Sequence, residues 1–144
     1  MNKTVEAIYD ILAADDTLVS LLALNPPFYN PNGDEARVNS IIPADIVENS
    51  MTAPFLVIQE GSELKIGSKL ESQSLFFRCY NDRQKSYITI DEILNRIKAV
   101  LDNLEITVEN KVVVELGWEA TMPGLLDESL GMKFKESRYR LLVL

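Results

Sequence analysis

The segment Ala53–Leu104 most constrains the fold, because two strand-like stretches in it lead directly into one long amphipathic helix. The first stretch, PFLVIQEGS, is nearly continuous in apolar residues, as in a strand covered on both faces. In the second, ESQSLFFRCYN, Leu75, Phe77 and Cys79 point one way and the residues between them point the other. We therefore expect a β-β-α unit whose second sheet face is mixed, and either partly solvated or covered by a neighbouring subunit.

The boundaries of this unit follow from its polar residues. Gly61 is expected to end the first strand, so that SELKIGSKLES forms a polar hairpin tip. Asn81 and Asp82 predict the N-terminal cap of a helix that continues to about Asn103. The apolar stripe of that helix recurs at helical spacing. It consists of Ile90, Leu94, Ile97, Leu101 and Leu104.

Two short helices are predicted before this unit and two strands after it. Thr4 can cap the first helix, and Asp15 or Asp16 the second. ITVENKVVVELGWEAT predicts one long strand or a hairpin turning at residues 109–111, and KFKESRYRLLVL predicts the last strand. The order α-α-β-β-α-β-β predicts a single α+β domain over residues 1–144, with a mixed, mostly antiparallel sheet of about four to five strands.

A long loop is predicted at residues 25–53, where Pro, Asn, Asp and Gly are frequent. Loops of this length tend to be functional or disordered. This one also carries apolar residues, so a loop packed on its own domain and a partner-binding loop remain equal alternatives. Within it, VNSIIPADI predicts either a short edge strand or a segment lying across the core.

The charge of the chain argues against nucleic acid and anionic membranes as binding partners. Fourteen basic and 22 acidic residues give a net charge of -8, and such a field repels polyanions. No stretch approaches the roughly 20 apolar residues that span a bilayer, and no signal peptide is recognisable, so we expect intracellular synthesis. Cys79 is the only cysteine, which excludes an intrachain disulfide, and its apolar strand predicts a buried, inert thiol.

No catalytic, cofactor-binding or metal-binding constellation is recognisable. The chain has no histidine, and phosphate-binding glycine motifs and nucleophile elbows are absent. Pairs of acidic residues fall at helix starts, in polar loops or on the solvent side of a helix, where solvated acids and caps are the favoured interpretation. Asp34 lies in NPNGDE, which lacks the spacing of a calcium loop. Trp118 is interpreted as a core residue in preference to a binding-site aromatic.

Apolar side chains in the predicted loops and at the hairpin tip are the remaining candidates for a functional surface. Exposed apolar groups at loop tips indicate partners or lids, and a lid needs a catalytic site beneath it. Protein–protein contact is therefore the preferred interpretation. The candidate interface residues are Phe28, Tyr29, Ile66, Met122, Leu125 and Leu126.

Residues 5–104 resemble the tail-terminator, or tail-completion, proteins of long-tailed bacteriophages. The resemblance lies in an N-terminal helix pattern, a strand opened by proline, a second aromatic strand and the long helix. The matching residues are Ile8, Leu12, Asp15 and Leu18; Pro54, Phe55, Val57 and Ile58; Phe77, Cys79 and Tyr80; and Ile90, Ile93, Ile97 and Leu101. The predicted loop at 25–53 is longer than is usual in that family.

The resemblance implies a structural virion protein without a cofactor, assembled in the host bacterial cytoplasm. It implies a homo-oligomer, a hexameric ring, that caps the head-proximal end of the tail tube, stops tube polymerisation and docks to the head-neck connector. Its partners are then the tail tube protein and the connector protein, with DNA only passing through the lumen and no membrane contact.

Two other classes of function remain open. One is a head-side neck adaptor or stopper, a structural protein of similar size. The other is a small metal-dependent enzyme that uses loop carboxylates such as Asp34 and Asp45.

Overall fold

A computed structural model describes most of the chain, in six segments. These are residues 3–23, 25, 40–43, 51–66, 70–108 and 111–143; the side chains of Ile66 and of residues 111–114 are outside the description. The helices are α1 (Lys3–Ala13), α2 (Asp16–Leu21) and α3 (Ile88–Leu101). The strands are β1 (Ile41–Pro43), β2 (Phe55–Ile66), β3 (Leu70–Asp82), β4 (Leu104–Val108), β5 (Lys111–Thr121), β6 (Leu125–Asp127) and β7 (Met132–Val143).

All the described strands belong to one sheet. Its order is β1-β2-β3-β7-β5-β4, and the short β6 also pairs with β7, beyond the end of β5. Only β1 pairs in parallel, with β2. The predicted α+β class with a mixed, mostly antiparallel sheet is confirmed, but the sheet has seven strands, more than predicted. The difference arises partly from β1 and β6, which have three residues each and too little sequence to show a period.

The three described helices pack on one face of this sheet, and the main core lies between them. The stripe of α3 is buried as predicted at Ile90, Leu94, Ile97 and Leu101. It meets the residues of β3 and β7 that point to the same face, among them Phe77 and Tyr139, whose rings make an edge-to-face contact at 5.2 Å. No described helix is long and apolar enough to cross a bilayer.

The opposite face of the sheet carries a smaller apolar cluster at one end. Phe55 stacks on Tyr80 with ring centroids 5.0 Å apart, and Phe134 lies 5.3 Å from Tyr80 on the other side. Toward the other end the face becomes polar: Arg78 pairs with Glu136 at 3.2 Å. The prediction of a mixed second face is therefore confirmed, and none of the described helices covers it.

Gly61 does not end the first strand, which corrects the prediction. β2 continues to Ile66, and its register with β3 shifts between Glu60 and Glu63. A Cβ atom at Gly61 would lie 2.5 Å from the ring of Phe76, so glycine is needed for a close approach inside the strand. In a strand, an isolated glycine can mark such an irregularity as well as an end.

The predicted boundaries of α3 are also corrected. Asn81 and Asp82 are the last residues of β3, where they pair with Lys133 and Met132, and α3 begins only at Ile88. At the other end the helix stops at Leu101, and Asn103 takes a left-handed conformation (φ 63°), which asparagine tolerates well. Leu104, assigned to the helix stripe by its spacing, is the first residue of β4.

The predicted edge strand within residues 25–53 is confirmed. It is β1, the outermost strand beside β2. Asn25 holds it near the residues before β2, because its amide donates to Ser40 Oγ at 2.8 Å and to the Thr52 carbonyl at 2.9 Å. Most of the remaining loop lies outside the described residues.

Candidate protein interface

The described part of the chain offers no metal centre. It contains no group of three or more acidic or cysteine side chains placed to hold a cation. Asp34 and Asp45, on which the enzyme alternative depends, lie outside the described residues. Cys79 is buried, as predicted, and burial, with Asp91 nearby, raises the pKa of its thiol. A protonated, inaccessible thiol is a poor nucleophile.

Three of the six interface candidates are exposed at one end of the sheet. Met122, Leu125 and Leu126 have 37%, 55% and 41% of their surface accessible, and they lie in β6 and in the bend that precedes it. Ile66 is the last residue of β2, paired with Leu70 at the far end of the hairpin. Phe28 and Tyr29 lie outside the described residues.

Ile88 is an exposed apolar residue that the sequence interpretation missed. It is the first residue of α3, and 64% of its surface is accessible. The sequence could have indicated this exposure. Ile88 lies two positions before the buried Ile90, and two residues turn a helix by about 200°, so Ile88 faces away from the buried stripe.

Ile88 follows Tyr87 in the chain, and the Tyr87 ring lies near the segment that leads into β6; we call Tyr87, Ile88 and Leu126 the apolar patch. Gly124 is packed so closely on the Tyr87 ring that any Cβ atom there would collide with it. Leu126 pairs with Lys133, whose Nζ lies 4.6 Å from the centre of the same ring. Leu126 and Lys133 therefore share the sheet face on which the helices pack, and the patch extends from β6 to the start of α3.

A hydrogen-bonded turn fixes the β6 end of the patch. Asp127 accepts hydrogen bonds from Ser129 Oγ at 2.6 Å, from Leu130 N at 3.2 Å and from the Tyr80 hydroxyl at 3.4 Å. The bond from Ser129 and that from Leu130 hold the pKa of the Asp127 carboxyl below its ordinary value of 3.8. The carboxylate form thus ties the β6–β7 turn to the sheet at neutral pH.

A cavity of about 260 Å³ opens beside β5 and β7, and we call it the edge pocket. Its lining residues are Glu115, Gly117, Trp118, Glu119, Arg140 and Leu142. Gly117 pairs with Arg140 and Glu115 with Leu142, so these four residues lie on the face opposite the helices, whereas Trp118 pairs with the core residue Tyr139. β4 pairs with β5 only up to Leu116, which leaves the pocket open at the sheet edge.

Trp118 joins the edge pocket to the core. It packs against the main core, as its interpretation as a core residue requires, yet it remains partly exposed. Lys98 Nζ lies 3.6 Å from its ring centre, and its indole N–H donates to Thr121 Oγ1 at 3.1 Å. The Trp118 ring is therefore held against α3, on the face of the sheet that the helices cover.

Of the two carboxylates that line the edge pocket, Glu119 is paired with arginine side chains. Glu119 lies 3.5 Å from Arg138 and 3.6 Å from Arg140, so two guanidinium groups share one carboxylate. Glu115 is exposed. The opening of the pocket is thus lined by two carboxylates, Glu115 and Glu119, and by the guanidinium group of Arg140.

Comparisons with known proteins place the fold. No family model matches the chain, and no curated protein matches it. Among solved structures, a chain from the virion of a native gene transfer agent particle superposes with a TM-score of 0.65. The alignment covers 94% of this chain and 90% of that chain.

The two chains share a fold. Their sequence identity is 15%, so the likeness concerns the arrangement of helices and strands and carries no information about individual interface residues. The likeness extends over nearly the whole of both chains.

Proposed function

We propose that the protein is a structural component of a phage-like virion, and specifically a tail terminator. The observation that carries the proposal is the near-complete overlap of its fold with that of a chain in a gene transfer agent virion. That likeness supports the broader role, a structural virion protein.

The finer role rests on the sequence resemblance and on the surface. The residues that match tail terminators at Phe77, Cys79, Ile93 and Ile97 form the core beneath α3, so the pattern and the fold agree. The exposed apolar side chains and the open pocket lie outside that core, where a terminator needs contacts to its own copies, to the tube and to the connector. A ring capping the head-proximal end of the tail, assembled in the host cytoplasm, accounts for both.

Tail length is the measurement that tests the terminator role. Deletion of the gene from a particle-producing genome is expected to give tails of variable, excessive length, because tube polymerisation has no stop. Negative-stain microscopy measures the length distribution. Purified protein added to growing tubes is expected to restore a stop and to label one tube end.

The same deletion distinguishes the neck-adaptor alternative. Tails of normal length, together with heads that lack a docked tail, would reject the terminator role and favour a head-side adaptor. Normal particles and full infectivity would reject a structural role in the virion.

A further inference from the structure

The strands separate the charged residues by face at the end of the sheet that carries the apolar patch. Lys135 pairs with a core residue of β3, so it and Lys133, two positions before it, lie on the helix-covered face. Met132 packs on the smaller apolar cluster of the opposite face, where it pairs with Asp82 and with Asp127. Because successive side chains of a strand point to opposite faces, two cations lie on one face and two acids on the other.

The cations of the helix-covered face border the apolar patch. Lys133 Nζ lies 4.6 Å from the centre of the Tyr87 ring, and Lys135 Nζ lies 5.0 Å from it. Asp91 compensates the charge of Lys135, since its Oδ1 lies 2.7 Å from that ammonium group. The side chain paired with Lys133 across β6 is Leu126, so an ammonium group lies directly beside an exposed apolar residue.

The surface around the patch has an excess of positive charge. The turn between β3 and α3 adds two exposed cations, Arg83 and Lys85, to Lys133. Besides the acids on the opposite face, the exposed acids nearby in the chain are Glu92, one turn along α3, and Glu128, in the turn after β6. The chain as a whole has a net charge of -8, so this surface is opposite in sign to the rest of the molecule.

The centre of this surface suits a protein segment better than a nucleic acid. It is apolar at Tyr87, Ile88 and Leu126, of which Ile88 is 64% and Leu126 is 41% accessible. Binding to nucleic acid depends chiefly on cations that meet phosphates, and the net charge of -8 repels a polyanion. An apolar centre with a charged border is the usual arrangement of a protein–protein interface.

We propose that the apolar patch is a docking surface for an acidic segment of a different virion protein, in which Asp or Glu side chains flank apolar ones. Ile88 and Leu126 contact the apolar side chains of that segment. Arg83, Lys85 and Lys133 pair with its carboxylates, because a basic border selects an acidic partner. The docking surface rests on the broader proposed function, a structural role in the virion, and does not depend on the terminator role.

Carbodiimide crosslinking of purified particles tests the chemistry of this contact, since the reagent joins lysine amines to carboxylates that touch them. We expect Lys85 and Lys133 to be joined to Asp or Glu side chains of a different virion protein. Mass spectrometry of the digested particles identifies the joined residues. The pair Lys135–Asp91, whose charged groups lie 2.7 Å apart, provides an internal positive control.

Variants supplied to a particle-producing genome that lacks the gene test the contribution of the surface. Lys85→Glu/Lys133→Glu and Ile88→Glu are each expected to lower the amount of the protein in purified particles by roughly tenfold or more, measured by quantitative immunoblot. Ile88→Glu retains the fold, because Ile88 is the first residue of α3 and an acid is favourable in the first turn of a helix.

Two substitutions serve as matched controls. Lys133→Arg keeps the cation and is expected to enter particles like the wild type. Lys65→Glu reverses an exposed charge at the far end of the β2–β3 hairpin and is expected to enter particles normally. Thermal unfolding of every purified variant checks that the fold is intact.

Three results would overturn the docking surface. In the first, folded Lys85→Glu/Lys133→Glu or Ile88→Glu enters particles at the wild-type level. In the second, the carboxylates joined to Lys85 and Lys133 belong to another copy of this chain. In the third, the crosslink between Lys135 and Asp91 forms, but Lys85 and Lys133 are joined to no other virion protein. Absence of the wild-type protein from purified particles would instead reject the proposed function itself.

Discussion

Asp15 connects two helices through one carboxylate. Its Oδ2 accepts the amide of Leu18 at 3.0 Å, which caps α2, and Arg96 of α3 donates to both of its oxygens at 2.8 and 2.7 Å. The bond from Arg96 and that from Leu18 hold the pKa of Asp15 below 3.8. The predicted cap was therefore correct, but the ion pair joins residues 81 positions apart and left no sequence signal.

We predict that Asp15→Asn lowers the stability of the fold in a pH-dependent way. Asparagine can still cap α2, so the substitution removes chiefly the charge that faces Arg96. A carboxylate with a depressed folded-state pKa stabilises the protein above its unfolded pKa, and that stabilisation is lost as the pH falls through the folded pKa. The deficit in the free energy of unfolding is therefore expected at pH 7 and shrinks below pH 3.8.

Denaturant unfolding at a series of pH values measures this deficit. Asp16→Asn, at the exposed neighbouring residue, serves as the control and is expected to show little effect. A deficit for Asp15→Asn that stays constant from pH 7 down to pH 3 would argue against the ion pair as its source.

Two glycines in the sheet make opposite predictions for the same substitution. A Cβ atom at Gly61 would lie 2.5 Å from the Phe76 ring and 2.8 Å from Ser74 Cβ, whereas one at Gly117 would meet nothing within 4 Å. We expect Gly61→Ala to destabilise the fold by about 1–3 kcal/mol, as overpacking does. Gly117→Ala should change stability by less than about 0.5 kcal/mol, like other surface substitutions. Equal denaturation midpoints for the two variants would contradict this assignment.

Among the elements, local sequence patterns were sufficient to predict structures that depend on neighbouring residues, such as a helix period or a hairpin. The period of α3 marks its buried face because the stripe repeats over three turns. The hairpin alternative for residues 106–121 was also correct, since β4 and β5 pair across residues 109–110. The single-strand alternative was wrong. β4 and β5, which pair with each other, are also neighbours in the sequence.

Local patterns failed where a distant partner decides the structure. Asn81 and Asp82 have side chains that suit a helix cap. They are strand residues instead, because they pair with β7, about 50 positions away in the sequence. The edge pocket was likewise missed, because pairing of β5 with β7 brings Gly117 next to Arg140. The exposed Met122, Leu125 and Leu126 were visible in the sequence since apolar residues stand out in a polar segment.

At the scale of elements, we predict that Ile97→Ala costs about 2–5 kcal/mol of stability. Ile97 is fully buried between α3 and the sheet, and the loss of its methyl and methylene groups leaves a cavity. Asn95→Ala is the control on the same helix: Asn95 is exposed, and alanine has the higher helix propensity. Thermal and denaturant unfolding should separate the two variants, and similar midpoints would mean that α3 does not pack on the sheet as described.

The whole molecule depends on β7. It pairs with β3 on one side and with β5 and β6 on the other, and thereby joins β1-β2-β3 to β5-β4. Its residues Tyr139 and Leu141 are fully buried in the main core. The two parts of the sheet have no other described strand between them.

We therefore predict that a chain shortened to end at Arg138 does not fold cooperatively. It loses Tyr139, Leu141 and Val143 from the core and five of the seven residue pairs between β5 and β7. Near-ultraviolet circular dichroism and a thermal scan measure this, with Arg140→Ala, an exposed residue of the same strand, as a folded control. A sharp melting transition in the shortened chain would show that β7 is less central than its pairing suggests.

The position of β7 in the sheet also determines when, during synthesis, the edge pocket is completed. A ribosome makes β3, β5 and β6 before it makes β7, so a nascent chain carries two separate groups of strands with open edges. The strand that separates these edges arrives last, and only then does the edge pocket acquire Arg140 and Leu142. A partly translated subunit thus has an incomplete pocket, and only chains on which β7 has been synthesised carry the complete one.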